Sequence, residues 1–99
     1  MLTFSQIRIE ILLDGPLVPR ITALAEAAGI ERYMLISTLG GLAAEGRWRR
    51  DEVTGTTAKQ LFVATIAEPD AERLLTALSP FIASHGLQLV ATPAARLSG

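Results

Sequence analysis

Residues 33–66, YMLISTLGGLAAEGRWRRDEVTGTTAKQLFVATI, contain two β-rich runs, Tyr33 to Leu39 and Gln60 to Ile66, held apart by the segment Gly40 to Lys59. Hairpin connections usually take about two to five residues. A loop of about twenty inside a compact domain is normally functional or disordered. This one has a chemistry of its own. Arg47, Arg49, Arg50 and Lys59 gather there with the one tryptophan, Trp48, with glycines at 40, 41, 46 and 55, and with hydroxyls at Thr54, Thr56 and Thr57. Guanidinium groups fork onto phosphate oxygens, and glycine amides or threonine hydroxyls complete such a cradle. The segment therefore reads as an anion-binding arm, with a solvated basic linker as the plainer alternative.

On the amino-terminal side, Gln6 to Leu13 places Ile7, Ile9 and Ile11 on one side and Arg8 and Glu10 on the other, the alternation of a strand with one buried face. Asp14-Gly15-Pro16 ends it. Ile21, Leu24, Ala25 and Ala28 then line one stripe of a helix over Arg20 to Ala28, with Pro19 at its start and Gly29 as a left-handed stop. On the other side, Leu61 to Ile66 is apolar at nearly every position, which predicts a central strand covered on both faces. Glu68-Pro69-Asp70 opens a second helix with its apolar stripe at Ala71, Leu74, Leu75, Leu78 and Ile82. Pro80 predicts a kink or local break near Thr76 to Pro80. His85-Gly86 ends the helix, Leu87 to Thr92 is the last strand, and Pro93 stops it.

The resulting order is that of an α+β, ferredoxin-like βαββαβ two-layer sandwich in a single domain, residues 1–99. Two helices cover one face of a four-stranded sheet, so the other face calls for burial by self-association. The chain of 99 residues suits one core. Leu74 to Ala95 carries no charged side chain, but Ser79-Pro80, His85-Gly86 and Pro93 divide it into helix, turn and strand. The start MLTFSQIRIE lacks a signal-peptide pattern, so a cytoplasmic location is expected.

A net charge of −1 provides no global field for nucleic acid, and four of the nine basic residues sit in the one loop, so anion recognition is local. Without cysteine there are no disulfides, thiolate metal sites or thiol nucleophiles. His85 fits a helix end better than a catalytic base, Glu68, Asp70 and Glu72 fit helix-start acids better than metal ligands, and no Walker or GxGxxG motif is present. Catalytic and metal residues are therefore assigned to none. Trp48 either stacks on a ligand ring or anchors the loop in a partner.

The sequence resembles the PII signalling superfamily, in particular PII-like proteins associated with carboxysomes and bicarbonate uptake. The likeness is carried by GRWRRDEVTGTTAK, similar to the family's T-loop, and by EPDAERLLTALSPFIASHG with its internal proline. It implies a non-enzymatic homotrimer with adenine nucleotide in clefts between subunits and a loop, residues 40–59, that reports to a membrane transporter or enzyme. The long basic B-loop that grips ATP is replaced by Ser84-His85-Gly86, which points to ADP, AMP or cyclic AMP, with bicarbonate as a further ligand. The implied nucleotide site comprises Gly41, Arg47, Arg49, Thr54, Gly55, Thr56, Lys59, Gly86, Leu87 and Leu89, with Trp48 and Arg50 turned to the partner. A structural adaptor without a small ligand and a small nucleotide-directed enzyme are the competing readings. The loop's glycines and few apolar side chains predict that Leu42 to Val53 is disordered or variable in the free protein.

Overall fold

The computed structural model describes residues 2–49 and 58–97. β1 (Gln6–Asp14) leads through a 3-10 turn (Gly15–Leu17) into α1 (Val18–Ala27), followed by β2 (Met34–Ser37), a small pair β3 (Gly40–Ala43) and β4 (Gly46–Arg49), then β5 (Lys59–Ala67), α2 (Glu68–His85) and β6 (Leu89–Ala94). The main sheet is antiparallel in the order β2-β5-β1-β6. β3 and β4 form a separate two-stranded ribbon. The ferredoxin-like α+β architecture expected from the sequence is thus present, with β5 central as its apolar run required.

Alternation assigns the two faces. Ile9, Ile11 and Leu13 of β1 and Phe62, Ala64 and Ile66 of β5 meet Ile21 and Ala25 of α1 and Ala71, Leu74 and Leu78 of α2 in one buried cluster. The register that pairs Ile9 with Ala64 and Ile11 with Phe62 puts both strands' apolar sets on this side. Tyr33 stacks on Phe62 with ring centroids 5.1 Å apart. The opposite face carries Arg8, Glu10 and Leu12, the paired Thr65, Val63 and Leu61, and Met34, Ile36 and Val90. Of these Met34, Ile36 and Val90 are exposed, while Arg8 Nε donates to Glu10 Oε1 at 2.9 Å. A sheet face this apolar is the feature that calls for a cover.

Beyond shifts of one or two residues at element ends, three features differ from the sequence reading. α2 runs unbroken through Pro80, because the carbonyl of Thr76 that loses its helical N–H partner accepts instead from Ser79 Oγ at 3.1 Å. The last strand starts at Leu89 and continues through Pro93, which lies opposite Ile7 on an edge strand, where an outward-facing position needs no N–H. Of the segment Leu42 to Val53, expected to be disordered or variable, the part up to Arg49 instead lies in an antiparallel ribbon, Gly40 to Arg49, turning at Ala44-Glu45. Its continuation to Val53 lies outside the described residues. The end of α1 follows the expected stop: Gly29, at φ 92°, donates its N–H to Glu26 O and Ile30 donates to Ala25 O, each at 3.0 Å, tying buried Ile30 onto the helix.

Phe62 is fully buried at the centre of this cluster. Replacing it with alanine is expected to destabilise the fold by about 3 to 5 kcal/mol, read as a lowered urea midpoint. An unchanged midpoint would mean that the helices do not pack on this face.

Candidate functional site

The site is organised around Lys59, the first residue of β5. It lies opposite Asp14, the last residue of β1, and is the buried charged residue among those described. Its ammonium donates to Asp14 Oδ1 at 2.5 Å and pairs with Glu45 Oε1, also at 2.5 Å, so that carboxylates from β1 and from the ribbon tip converge on one cation. Burial is the largest single influence and works against the charge on Lys59, but the hydrogen bonds and the negative charges of Asp14 and Glu45 together outweigh it and hold its pKa above the ordinary 10.5. The same contact with Lys59 holds the exposed Glu45 carboxyl below its ordinary 4.5.

The ribbon is fastened at a second point. Trp48 Nε1 donates to Thr38 Oγ1 at 3.0 Å, and that hydroxyl donates to Lys59 O at 2.7 Å, which satisfies both polar groups. The Lys59 ammonium also lies 5.4 Å from the centre of the Trp48 ring, a cation–π distance. Gly41 stands directly across the ribbon from Trp48, and a Cβ there would come within 2.4 to 2.9 Å of three indole carbons. Glycine at 41 is therefore what allows the ring to lie across β3.

Behind this fastening is a cleft of about 510 Å³ lined by Leu12, Asp14, Ala43, Ala44, Glu45 and Lys59 on one side and His85, Gly86, Leu87 and Gln88 on the other. That volume lies within the range of small-ligand sites. Gly86, at φ 62°, is the left-handed cap that turns the chain from α2 along the cleft wall.

The structure divides the residues named from sequence. Lys59, Gly86 and Leu87 share the cleft. Leu89 lies one step further on, in β6, packed against the core. Arg47 and Arg49 alternate with Trp48 on β4 and line a shallow groove on the ribbon with Leu39, Gly40, Gly41 and Trp48, apart from the cleft. Trp48, expected to face a partner or ligand, is half-buried against its own chain. Arg50, Thr54, Gly55 and Thr56 lie outside the described residues. Asp14 and Glu45 were not foreseen. The available signal was Asp14 as the terminal acid of the strand that pairs with the one beginning at Lys59.

At the other end of the sheet a second groove, about 530 Å³, is lined by Gln6, Gly29 to Arg32, Thr65 to Ala67, Asp70, Arg73 and Arg96. Arg96 Nη2 donates to Thr65 O at 2.5 Å. Arg73 donates through Nε to Ala28 O at 3.1 Å and pairs with Asp70. Among the described residues no cluster of three or more His, Cys, Asp or Glu could hold a metal ion, and no helix is long and apolar enough to cross a membrane.

No protein-family model and no curated protein matches this sequence. Solved structures do match its fold. A nitrogen regulatory PII-like protein from Thiomonas intermedia K12, bound to ADP, AMP and bicarbonate, superposes with a TM-score of 0.82 at 22% identity, covering 92% of this chain and 87% of that one. A PII-like signalling protein from Thermus thermophilus gives 0.75 at 15% identity, covering 93% and 89%. A DUF3240 family protein from Shewanella baltica gives 0.74 at 12% identity, covering 96% of both chains. The fold is that of PII-like proteins.

The fastening of the ribbon has a definite pH signature. Glu45, with its pKa lowered, contributes above pH 4.5 and ceases to contribute as pH falls through its lowered value. Lys59, with its pKa raised, contributes below pH 10.5 and ceases as pH rises through its raised value. Emission from Trp48, the one tryptophan, should shift to the red in acid before global unfolding, and should be shifted already at neutral pH in Gly41→Ala. Emission identical to wild type in Gly41→Ala would show that the indole does not rest on β3.

Proposed function

We propose that this chain is a non-enzymatic PII-like signalling protein. In this reading it assembles as a homotrimer, binds a small adenine nucleotide (ADP, AMP or cyclic AMP), with bicarbonate as a further ligand, in clefts between subunits, and reports occupancy to a transporter or enzyme through residues 40–59. The observation that carries the reading is the cleft between Lys59 and Gly86, with the ribbon latched over it by a carboxylate of the chain itself. The Thiomonas protein of the same fold, bound to ADP, AMP and bicarbonate, is consistent with it. The apolar sheet face bearing Met34, Ile36, Leu61, Val63 and Val90 supports self-association.

In a closed ring each subunit presents one patch to a different patch on the next. The two grooves at opposite ends of the sheet offer two such patches, and in this reading the Lys59 cleft of one subunit faces the Arg32, Arg73 and Arg96 groove of its neighbour. A nucleotide phosphate competes with Glu45 for the Lys59 ammonium. Once Glu45 is displaced, the ribbon tip loses its hold on the sheet and the Trp48 contact loosens with it, which lets Arg47 and Arg49 turn toward the phosphate; Thr54, Gly55 and Thr56, outside the described residues, are assigned to the same cradle. Gly86 and Leu87 supply the opposite wall through their backbone. Ligand binding and ribbon release are then one equilibrium, biased by the differential affinity of the ligand for the two states.

Calorimetric titration with ADP, AMP and cyclic AMP, with and without bicarbonate, tests this directly. Binding of at least one nucleotide is expected, tightened about three- to tenfold in Glu45→Gln, which removes the competing charge, and weakened about ten- to a hundredfold in Lys59→Met. If none binds, the structural adaptor becomes the better reading. If one binds with Glu45→Gln unchanged, the latch is not in competition with the ligand.

A further inference from the structure

The wall of the Lys59 cleft includes the chain's one histidine. His85 is the last residue of α2, where the unpaired carbonyls of the final turn favour a positive charge. Its ring is held in place: it stacks on Phe81 with centroids 5.6 Å apart, and Phe81 in turn carries the Arg20 guanidinium of α1 at 4.7 Å. Ser84 Oγ lies 2.7 Å from Nδ1. A hydroxyl both donates and accepts, so this contact persists whichever nitrogen takes the proton, and the imidazolium always presents Nε2–H as a donor.

The charged and titratable groups around this ring are Arg20 from α1 through Phe81, Asp14 from β1, Glu45 from the ribbon tip and Lys59 from β5. Among the described residues lining the cleft, two carboxylates oppose one ammonium, so the cleft is net negative by one charge while the imidazole is neutral. An entering anion must displace Glu45 from Lys59, and Asp14 still neutralises that ammonium, so with a neutral imidazole the cleft offers the anion no net positive charge. Protonation of His85 supplies one, together with a donor on the wall opposite Lys59.

We infer that His85 is a proton-linked specificity residue of this cleft, its imidazolium favouring a small anion beside Lys59 and its neutral form leaving Asp14 and Glu45 to hold that ammonium instead. The inference rests on the reading of the cleft as the anion site and adds to it a dependence on pH in the range where histidine changes charge, about pH 5 to 8. Because linkage is reciprocal, a bound anion must raise the proton affinity of His85 by the factor by which protonation raises the affinity for the anion.

A single histidine makes the measurement unambiguous. Its imidazole resonances are followed by NMR from about pH 5 to 9, alone, with saturating cyclic AMP and with sulfate, two probes whose charge is constant over that range. The titration midpoint is expected to rise by about half to one pH unit with either probe, and calorimetric affinity for cyclic AMP to fall about three- to tenfold from pH 6 to pH 8. In His85→Phe, which keeps a ring against Phe81, the fall should vanish. Cyclic AMP binding with an unmoved midpoint, or with the same pH dependence in His85→Phe, overturns the inference and leaves the nucleotide reading intact. Absence of binding by both probes at every pH also overturns it, and the ADP titration described above then decides separately whether the nucleotide reading falls as well.

Discussion

A buried ammonium must have anions beside it, and that requirement at Lys59 ties the parts of this molecule together. With its side chain 9% exposed, Lys59 cannot rely on water for its solvation, and an unpaired charge in such a place is costly. The partner from β1, Asp14, stands opposite it in the sheet and so marks the register of the two central strands at their ends. The partner from the ribbon, Glu45, brings the tip of a distant segment back to the sheet. The backbone carbonyl of the same lysine accepts from Thr38, which holds Trp48. One position thus couples strand register, ribbon placement and the shape of the cleft.

The two contacts that hold the ribbon differ in kind. Trp48 over Gly41 is a packing contact that depends on shape, whereas Glu45 on Lys59 is a pairing of an exposed carboxylate with a buried cation that depends on charge. A two-stranded ribbon has little stability of its own. Its position therefore depends on both contacts, and in the proposed reading a ligand that takes the place of Glu45 on Lys59 removes one of them. The other face of the ribbon, with exposed Leu42 beside Arg47, is the part such a change would present or withdraw.

Much of the fold was legible because its signals are local. The alternation at Ile7, Ile9 and Ile11, the stop at Gly29 and the doubly apolar Leu61 to Ile66 each state their own element. What was not legible depends on pairings distant in sequence or on side chains that compensate for a broken rule. Nothing around Pro80 announces that Ser79 will satisfy the carbonyl Thr76 offers, and the helix assignment continues where a kink or local break was expected. The ribbon at Gly40 to Arg49 forms because Trp48 and Glu45 find Gly41, Thr38 and Lys59, and composition alone suggested disorder. In the candidate site, Lys59 and Gly86, named from the sequence, line the cleft, while Asp14 and Glu45 were not named because their place beside Lys59 exists only once β1 and β5 are in register.

If an adenine nucleotide and Glu45 occupy the same cation in turn, a crystal structure of the protein grown with ADP will show the exchange. The nucleotide phosphate is expected on Lys59 in the cleft beside Gly86, with Glu45 displaced from that ammonium. ADP bound with Glu45 still on Lys59, or bound away from this cleft, would contradict the exchange.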